Sequence, residues 1–442
     1  MTPDILFLRE LYSSLDKENI SYCILRKADI LNTGVFNDID WAVDYHYISK
    51  FWEILNSVCK KLHWKLFMNI KKDGFQTVHL YYSENCVVSL LHFDLFNNFS
   101  WHGIRIFKNE ELLSNPVIID GFCSVSSDIE AMIQLFTRYF FNGYIKDEYK
   151  ENIKYIFKER KNKVLSKLIY LMGNKNASIF YNLVILAEWK QLENKVKFFQ
   201  IAIKKHFGRK NPVEFVKEQI VFKWYQVIRL FKKHGCMLVF EGSDGSGKST
   251  IIDNMPQILY RSFKEDNIDY YHWRPGFIKS PKTNSGSKGI VTNPHRDKSY
   301  NKVISLGKFI FFNIDYILGY WIKVRPQLLK GRMVIFDRYY YDYYIDKYRY
   351  RFDIEDYIFD LFLPLIPKPE VTFLLIGDPK LLYQRKKELT VTEIEKQNNR
   401  LIKSADKFKN AQIINVNKSI KDLVDEVSTL ILETMSKRIE KR

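Results

Sequence analysis

Residues 236–250 read CMLVFEGSDGSGKST. A mostly apolar run leads straight into Gly242-Ser-Asp-Gly-Ser-Gly247-Lys248-Ser249-Thr250, and TIIDNMPQIL (250–259) follows with helical spacing. A strand, a GxxxxGK[ST] loop and a helix in that order make a phosphate cradle. The glycines let the backbone curl with its N–H groups inward, and the helix N-terminus adds a positive dipole end. Lys248 supplies charge to the β- and γ-phosphates, and the Ser249 hydroxyl is placed for Mg²⁺. The phosphate-binding set is therefore Gly242, Ser243, Asp244, Gly245, Ser246, Gly247, Lys248, Ser249 and Thr250, with ATP and Mg²⁺ as expected cofactors.

Around this loop the text alternates. DYYHW (269–273), RMVIFDR (332–338) and EVTFLLIG (370–377) are further strand candidates with helical text between them. That alternation predicts a doubly wound parallel sheet, the α/β class. RMVIFDR delivers Asp337 to the metal shell, and Arg338 follows at the strand's C-terminal end, where ligands bind in such sheets. The Pro/Gly/Ser/Lys-rich stretch 276–302 reads as a long mobile loop over the site. The apolar run from Val303 to Val324 contains Lys308, Asn313 and Asp315, and reads as a buried helix, not a membrane span.

These segments resemble thymidylate kinases. EGSDGSGKST (241–250) is similar to that family's P-loop, including the Asp inside it, and FDRYYYD (336–342) carries its Asp-Arg-Tyr. RPG (274–276) resembles the Arg-x-Pro-Gly segment that helps hold the acceptor phosphate. KPEVTFLLIGDPKLLYQRKKE (368–388) resembles a strand, connection and basic lid, and IINVNKSIKDLVDEV (413–427) the terminal strand and helix. The resemblance implies a P-loop fold of the nucleoside monophosphate kinase type. It implies catalytic roles for Lys248, Asp337, Arg338 and Arg385, the last with Lys386 and Lys387 as a lid. It places Asp244, Arg274 and Arg338 against the acceptor, and Ser249 and Asp337 on the metal. The RPG segment lacks the family's Glu, and YYDYYIDKYRYRF (340–352) is unusual after the Asp-Arg-Tyr. The acceptor stays open between a nucleoside monophosphate and a sugar or sugar phosphate.

In the first 120 residues, SYCIL (21–25), IDWAVDY (39–45), TVHLYY (77–82) and VVSLLHFDLF (87–96) read as strands, with a turn at 83–85, in a small α+β domain. Asp38 and Asp40, one residue apart on extended chain, project to one face. Asp94, in an otherwise apolar strand, is costly unless paired or ligated. With 51 acids in the chain, such a pair alone says little; the strand context raises it. The arrangement resembles the nucleotidyltransferase fold, which implies that Asp38, Asp40 and Asp94 hold Mg²⁺ for nucleotidyl transfer. Leu25-Arg26-Lys27 stands where that fold usually has a Gly-Ser, so Arg26 and Lys27 would bind phosphate by charge. His63, His79, His92 and His102 show no metal spacing.

Between the two, helices are predicted over 128–141, 146–158, 162–172, 176–205 and 212–233. The expected organisation is 1–120 nucleotidyltransferase-like, 121–233 helical connector and 234–442 kinase. Lys146, Lys150, Lys154 and Lys158 share a helix face, either solvated or a dock for a phosphate-bearing partner. The 442-residue chain carries a formal net charge of +18, which favours anionic partners without choosing among them. No nucleic-acid motif is present, so nucleic acid is not an expected partner. Five scattered cysteines and an N-terminus interrupted by acids point to a reducing cytosol, without a signal peptide or transmembrane segment. A homodimer is a further expectation.

Overall fold

The computed structural model describes residues 2–33, 38–84, 87–259, 262–263, 267–278 and 298–440. Contacts divide the chain into two units, Met1–Tyr82 with Ser89–Ile228, and Ser83–Val88 with Arg229–Arg442.

The first unit holds β1 (Tyr22–Ile24), β2 (Ile39–Val43), β3 (Lys65–Lys71), β4 (Phe75–Glu84), β5 (Val87–Phe96), the β6–β7 hairpin (Phe99–Trp101, Ile104–Phe107), β8 (Val117–Ile119) and β9 (Phe122–Ser124). A seven-stranded mixed sheet forms in the order β3-β4-β5-β2-β1-β9-β8. Four expected strands correspond to β1, β2, β4 and β5; the others were not read from the sequence. Of the expected turn at 83–85, Ser83 and Glu84 extend β4, and Asn85 lies outside the described residues. The helices Pro3–Lys17 and Ile48–Lys61 bury Phe7, Leu11, Phe51 and Leu55 against Trp41 and Phe93.

The helical stretch is not a separate core. Tyr139, Phe180 and Phe199 share one apolar cluster with Cys23, Ala42 and Trp101, so the packing does not divide at residue 120. The single helix expected over 176–205 is three, Asn174–Ile185, Trp189–Asn194 and Val196–Lys210. The break falls at Ala187, whose φ of 58° is left-handed backbone that no helix continues through. Of the lysine stripe, Lys146 precedes the helix Asp147–Glu159 and pairs with Glu148 at 3.2 Å, and Lys150 pairs with Asp147 at 2.6 Å. Neighbouring acids thus answer part of the stripe.

The second unit is built on β10 (Cys236–Gly242), β11 (Ile268–His272), β12 (Met333–Asp337), β13 (Val371–Ile376) and β14 (Ala411–Asn415). They form one sheet in the order β11-β12-β10-β13-β14, and every pairing is parallel. β10, β12 and all but the last residue of β13 are buried along their length, the mark of a sheet covered on both faces. The expected α/β class is what forms here. The loop expected over 276–302 lies outside the described residues from 279 to 297.

The helix Lys302–Gly319 starts at Asn301, whose side chain accepts from the Ile304 amide at 2.9 Å. It continues through a π-helical turn (Tyr320–Val324) to Leu329, and this run is long and apolar enough to cross a membrane by length and composition alone. The buried helix expected here is buried on one face only. Phe309, Asn313, Asp315 and Tyr316 face inward, whereas Val303, Ile310, Ile314 and Leu318 stay exposed.

Candidate active site

The phosphate loop follows from where glycine stands. Gly245 and Gly247 have φ of 86° and 85°, a conformation costly for any residue with a Cβ. A Cβ on Gly245 would also lie 2.6 Å from the Leu382 carbonyl oxygen. The helix Lys248–Leu259 then begins on the key lysine. Lys248 is buried, and its Nζ donates to the Gly242 and Ser243 carbonyls at 2.7 and 3.1 Å. The ammonium therefore folds back on its own loop. Among the described residues, no hydrogen-bond partner meets the buried Ser243 Oγ, Ser246 Oγ or Asp337 Oδ1. Buried polar atoms rarely go unpartnered unless a ligand completes them. A cradle of left-handed glycines and orphaned hydroxyl and carboxylate oxygens fits a nucleotide phosphate with its magnesium ion.

Parallel register brings the carboxylate in. Phe240 on β10 lies opposite Asp337 on β12, and His272 on β11 lies opposite it from the other side. Tyr270 Oη donates to Asp337 Oδ2 at 3.1 Å, and His272 Nδ1 stands 3.7 Å from the same oxygen. Arg338 then turns with φ of 70°, its amide bonded to the Phe240 carbonyl at 2.9 Å. That left-handed residue drives its guanidinium inward, where Nη2 donates to Asp244 Oδ1 at 2.8 Å and Nη1 to Asp342 Oδ1 at 3.1 Å. Asp342 also accepts from Tyr350 Oη at 2.5 Å, and Tyr350 stacks on Trp273 with ring centres 4.7 Å apart. The second oxygen of Asp244 is taken by Arg349, whose Nε lies 3.4 Å from Asp346 Oδ2. Beneath them Glu241 is fully buried and accepts from the Tyr339 amide at 2.8 Å.

Burial, and after it the adjacent Arg338 charge, push Lys248 down to about 8. Burial pulls Asp337 the other way, but His272, Lys248 and Arg338 together hold it down at about 2. The signs differ for stability. Asp337 stabilises the fold above the ordinary carboxylate pKa, and that contribution is lost as pH falls toward 2. Lys248 carries a penalty that is relieved between pH 8 and its ordinary 10.5, where the unfolded chain keeps a proton the folded chain has released. The activity consequence is a prediction. kcat/KM for ATP, which reports the free protein, should fall with an apparent pKa near 8, because neutral Lys248 offers no charge to phosphate. kcat should stay level to higher pH, since bound phosphate holds the proton on the lysine. A pH series of initial rates checks this, and a kcat/KM that is flat to pH 9.5 would contradict it.

These groups line one cleft of about 660 Å³. Asp244 to Thr250, Asp337, Arg338 and Arg385 border it, as do His272, Arg349, Lys386, Glu388 and Lys418. Arg385 Nη2 is tethered to the Val416 carbonyl at 3.3 Å, and Lys386 Nζ reaches to 4.0 Å from Asp244; Lys387 is exposed. Arg274 is elsewhere. Its Nη1 donates to buried Asp315 at 2.8 Å, and Asp315 also accepts the Gly276 and Ile278 amides at 3.0 and 2.7 Å. Arg274, expected at the acceptor phosphate, is thus engaged in a buried ion pair that fixes the turn after β11 and does not border the cleft. Arg349, which borders the cleft and bonds to Asp244, was not among the expected site residues. Residues 240–427 match the thymidylate kinase family model. Among solved structures, the crystal structure of thymidylate kinase from Ehrlichia chaffeensis aligns at 20% identity with a TM-score of 0.30, covering 44% of this chain and 98% of that one. No curated protein matches the chain. The thymidylate kinase match takes in Lys248, Asp337, Arg338, Arg349 and Arg385, and leaves the first unit outside it.

In that first unit the three predicted carboxylates meet. Parallel pairing sets Asp40 on β2 opposite Asp94 on β5, and one oxygen from each of Asp38, Asp40 and Asp94 falls within 4.8 Å of the others. Arg26, one residue past Leu25, whose amide bonds to the Asp40 carbonyl, places its Nε on Asp40 and its Nη2 3.8 Å from Asp38. Asp94 Oδ1 accepts from Thr77 Oγ1 at 2.7 Å and stands 3.5 Å from His92 Nε2. Burial raises Asp40 above the usual carboxylate range despite Arg26; burial likewise acts on Asp94, but His92, Lys72 and Thr77 hold it low. Arg26, expected to bind phosphate by charge, is here paired with these acids. His92, set aside for lack of metal spacing, borders them through the fold.

Proposed function

We propose that the C-terminal unit is an ATP-dependent phosphotransferase acting on a small acceptor of the nucleoside monophosphate type. The carrying observation is the convergence of Lys248, Asp337, Arg338 and Arg349 on one cleft around a phosphate loop with orphaned oxygens. The family match over 240–427 supports it. The loop glycines, Ser246 and Lys248 would hold the donor phosphates. Ser249 and Asp337 would hold Mg²⁺, which supplies charge neutralisation at the transferring group. Arg338 and Arg349 hold Asp244 between them and are placed to take an acceptor phosphate in exchange. Arg385 and Lys386 border the same cleft and would neutralise charge on the equatorial oxygens. Catalysis here is positioning plus fixed charge: the acceptor oxygen bonds to the γ-phosphorus of ATP as the bond to the β-phosphate oxygen breaks and ADP leaves.

The test is ATP consumption with Mg²⁺ against dTMP, other nucleoside monophosphates, and free and phosphorylated sugars. Turnover confined to nucleoside monophosphates is expected. Arg349→Ala should raise the acceptor KM by roughly 30-fold, the loss of one charged hydrogen bond of about 2 kcal/mol, with a smaller effect on the KM for ATP. Turnover on none of the panel would remove this reading.

A second reading rests on the convergent carboxylates. In it the first unit transfers a nucleotidyl group to a sugar phosphate, with Asp38, Asp40 and Asp94 holding Mg²⁺. It expects pyrophosphate release from nucleoside triphosphate and sugar phosphate, and its loss in Asp38→Asn/Asp40→Asn. Absence of release with either Mg²⁺ or Mn²⁺ would leave the carboxylates and Arg26 as a structural cluster.

A further inference from the structure

The helix Pro212–Phe231 is amphipathic in the inverted sense. Its inward side carries polar and aromatic contacts: buried Glu218 accepts from Arg105, Gln219 Nε2 donates to the His102 carbonyl at 2.7 Å, and Phe222 stacks on the His102 ring at 5.3 Å. Its outward side is apolar. At about 100° per residue, Val213, Val216, Ile220, Trp224 and Val227 fall in one stripe about 80° wide. They are 81, 55, 64, 62 and 43% exposed. Single exposed apolar residues are ordinary, but a continuous stripe centred on an indole marks a surface that is covered in use.

Charge decides what covers it. Lys217 borders one edge of the stripe and Lys223 the other, and both are exposed. The two acids of the helix, Glu214 and Glu218, lie more than about 100° from the stripe's centre. From Arg209 to Lys233 the chain carries seven Lys and Arg against two Glu, and Arg105 answers one of those acids. A second copy docking here would bring lysine against lysine with no carboxylate on either edge. An anionic surface satisfies both edges at once. We propose that this face docks on a membrane of acidic phospholipid. The stripe enters the boundary between headgroup and acyl chain, while Lys217 and Lys223 pair with headgroup phosphate or carboxylate.

The test is co-sedimentation of the full chain with vesicles of phosphatidylserine and phosphatidylcholine, and of phosphatidylcholine alone, at low and high salt. Binding to the acidic vesicles is expected, at least 20-fold tighter than to neutral ones and weakened by salt. Each basic residue near an acidic surface is worth about fivefold, so Lys217→Glu/Lys223→Glu should weaken binding by about 25-fold or more. Ile220→Ser/Trp224→Ser should abolish the remainder, with the circular dichroism spectrum unchanged in both variants. Failure to sediment with acidic vesicles at low salt overturns the proposal, as does equal binding to neutral vesicles. So does indifference to both double substitutions. A dimer in sedimentation velocity that Ile220→Glu splits would assign the stripe to a second copy instead.

Discussion

Lys248→Ala is expected to lower ATP-dependent phosphoryl transfer by about 10³-fold, close to 4 kcal/mol of lost transition-state stabilisation. Among the described residues, Lys248 hydrogen-bonds to two carbonyls of its own loop. It is buried, and burial works against its charge. Its removal therefore costs the fold little and relieves a desolvation penalty. The diagnostic result is a pairing: near-complete loss of turnover with a melting temperature equal to or above that of the parent. Initial rates and a thermal melt on the same preparation decide it. Turnover within tenfold of the parent would mean that transfer happens elsewhere on the chain.

Arg338→Ala is expected to act on both activity and stability. Its guanidinium sits between Asp244 and fully buried Asp342. Removing one partner of a buried ion pair leaves an uncompensated charge and costs about 3–5 kcal/mol. For a unit of this size that is a fall of roughly 10 °C in melting temperature. Asp342→Asn in the Arg338→Ala background removes that uncompensated charge and should restore part of the loss at pH 7. Melts of the two variants at pH 7 test this, and no recovery in the double variant would show that the cost is a cavity and not a charge.

Local pattern carried the loop itself. Its glycines, Lys248 and Ser249 lie within nine residues, and the left-handed turn at Gly245 and Gly247 with a helix beginning on Lys248 is what that spacing demands. Asp337 was readable because an apolar strand ends on it. The alternation of strand and helix likewise announced a parallel sheet, although its order, with β10 at the centre, is set by packing. Long-range pairing was not readable. Arg349 matters because of Asp244, 105 positions earlier. Arg274 is withdrawn by Asp315, 41 positions later, in a helix whose apolar text gave no reason to send a carboxylate back to that turn. In the first unit the acids were visible as costly residues in strands, but their meeting needs the β2–β5 register, and Arg26 beside them needs the β1–β2 pairing. The broken helix after Ile185 turns on Ala187, a residue type that favours the helix it interrupts.

Trp273 follows β11, stacked on Tyr350 and edge-on to Tyr343, and Tyr350 is bonded to the Asp342 that pairs with Arg338. Light absorbed by these tyrosines drains into that one indole, and a shift of Arg338 would reach it through Asp342 and Tyr350. The unit thus carries its own optical probe, and a chain retaining Trp273 as its sole tryptophan would report, without a label, whether the proposed acceptor draws on Arg338.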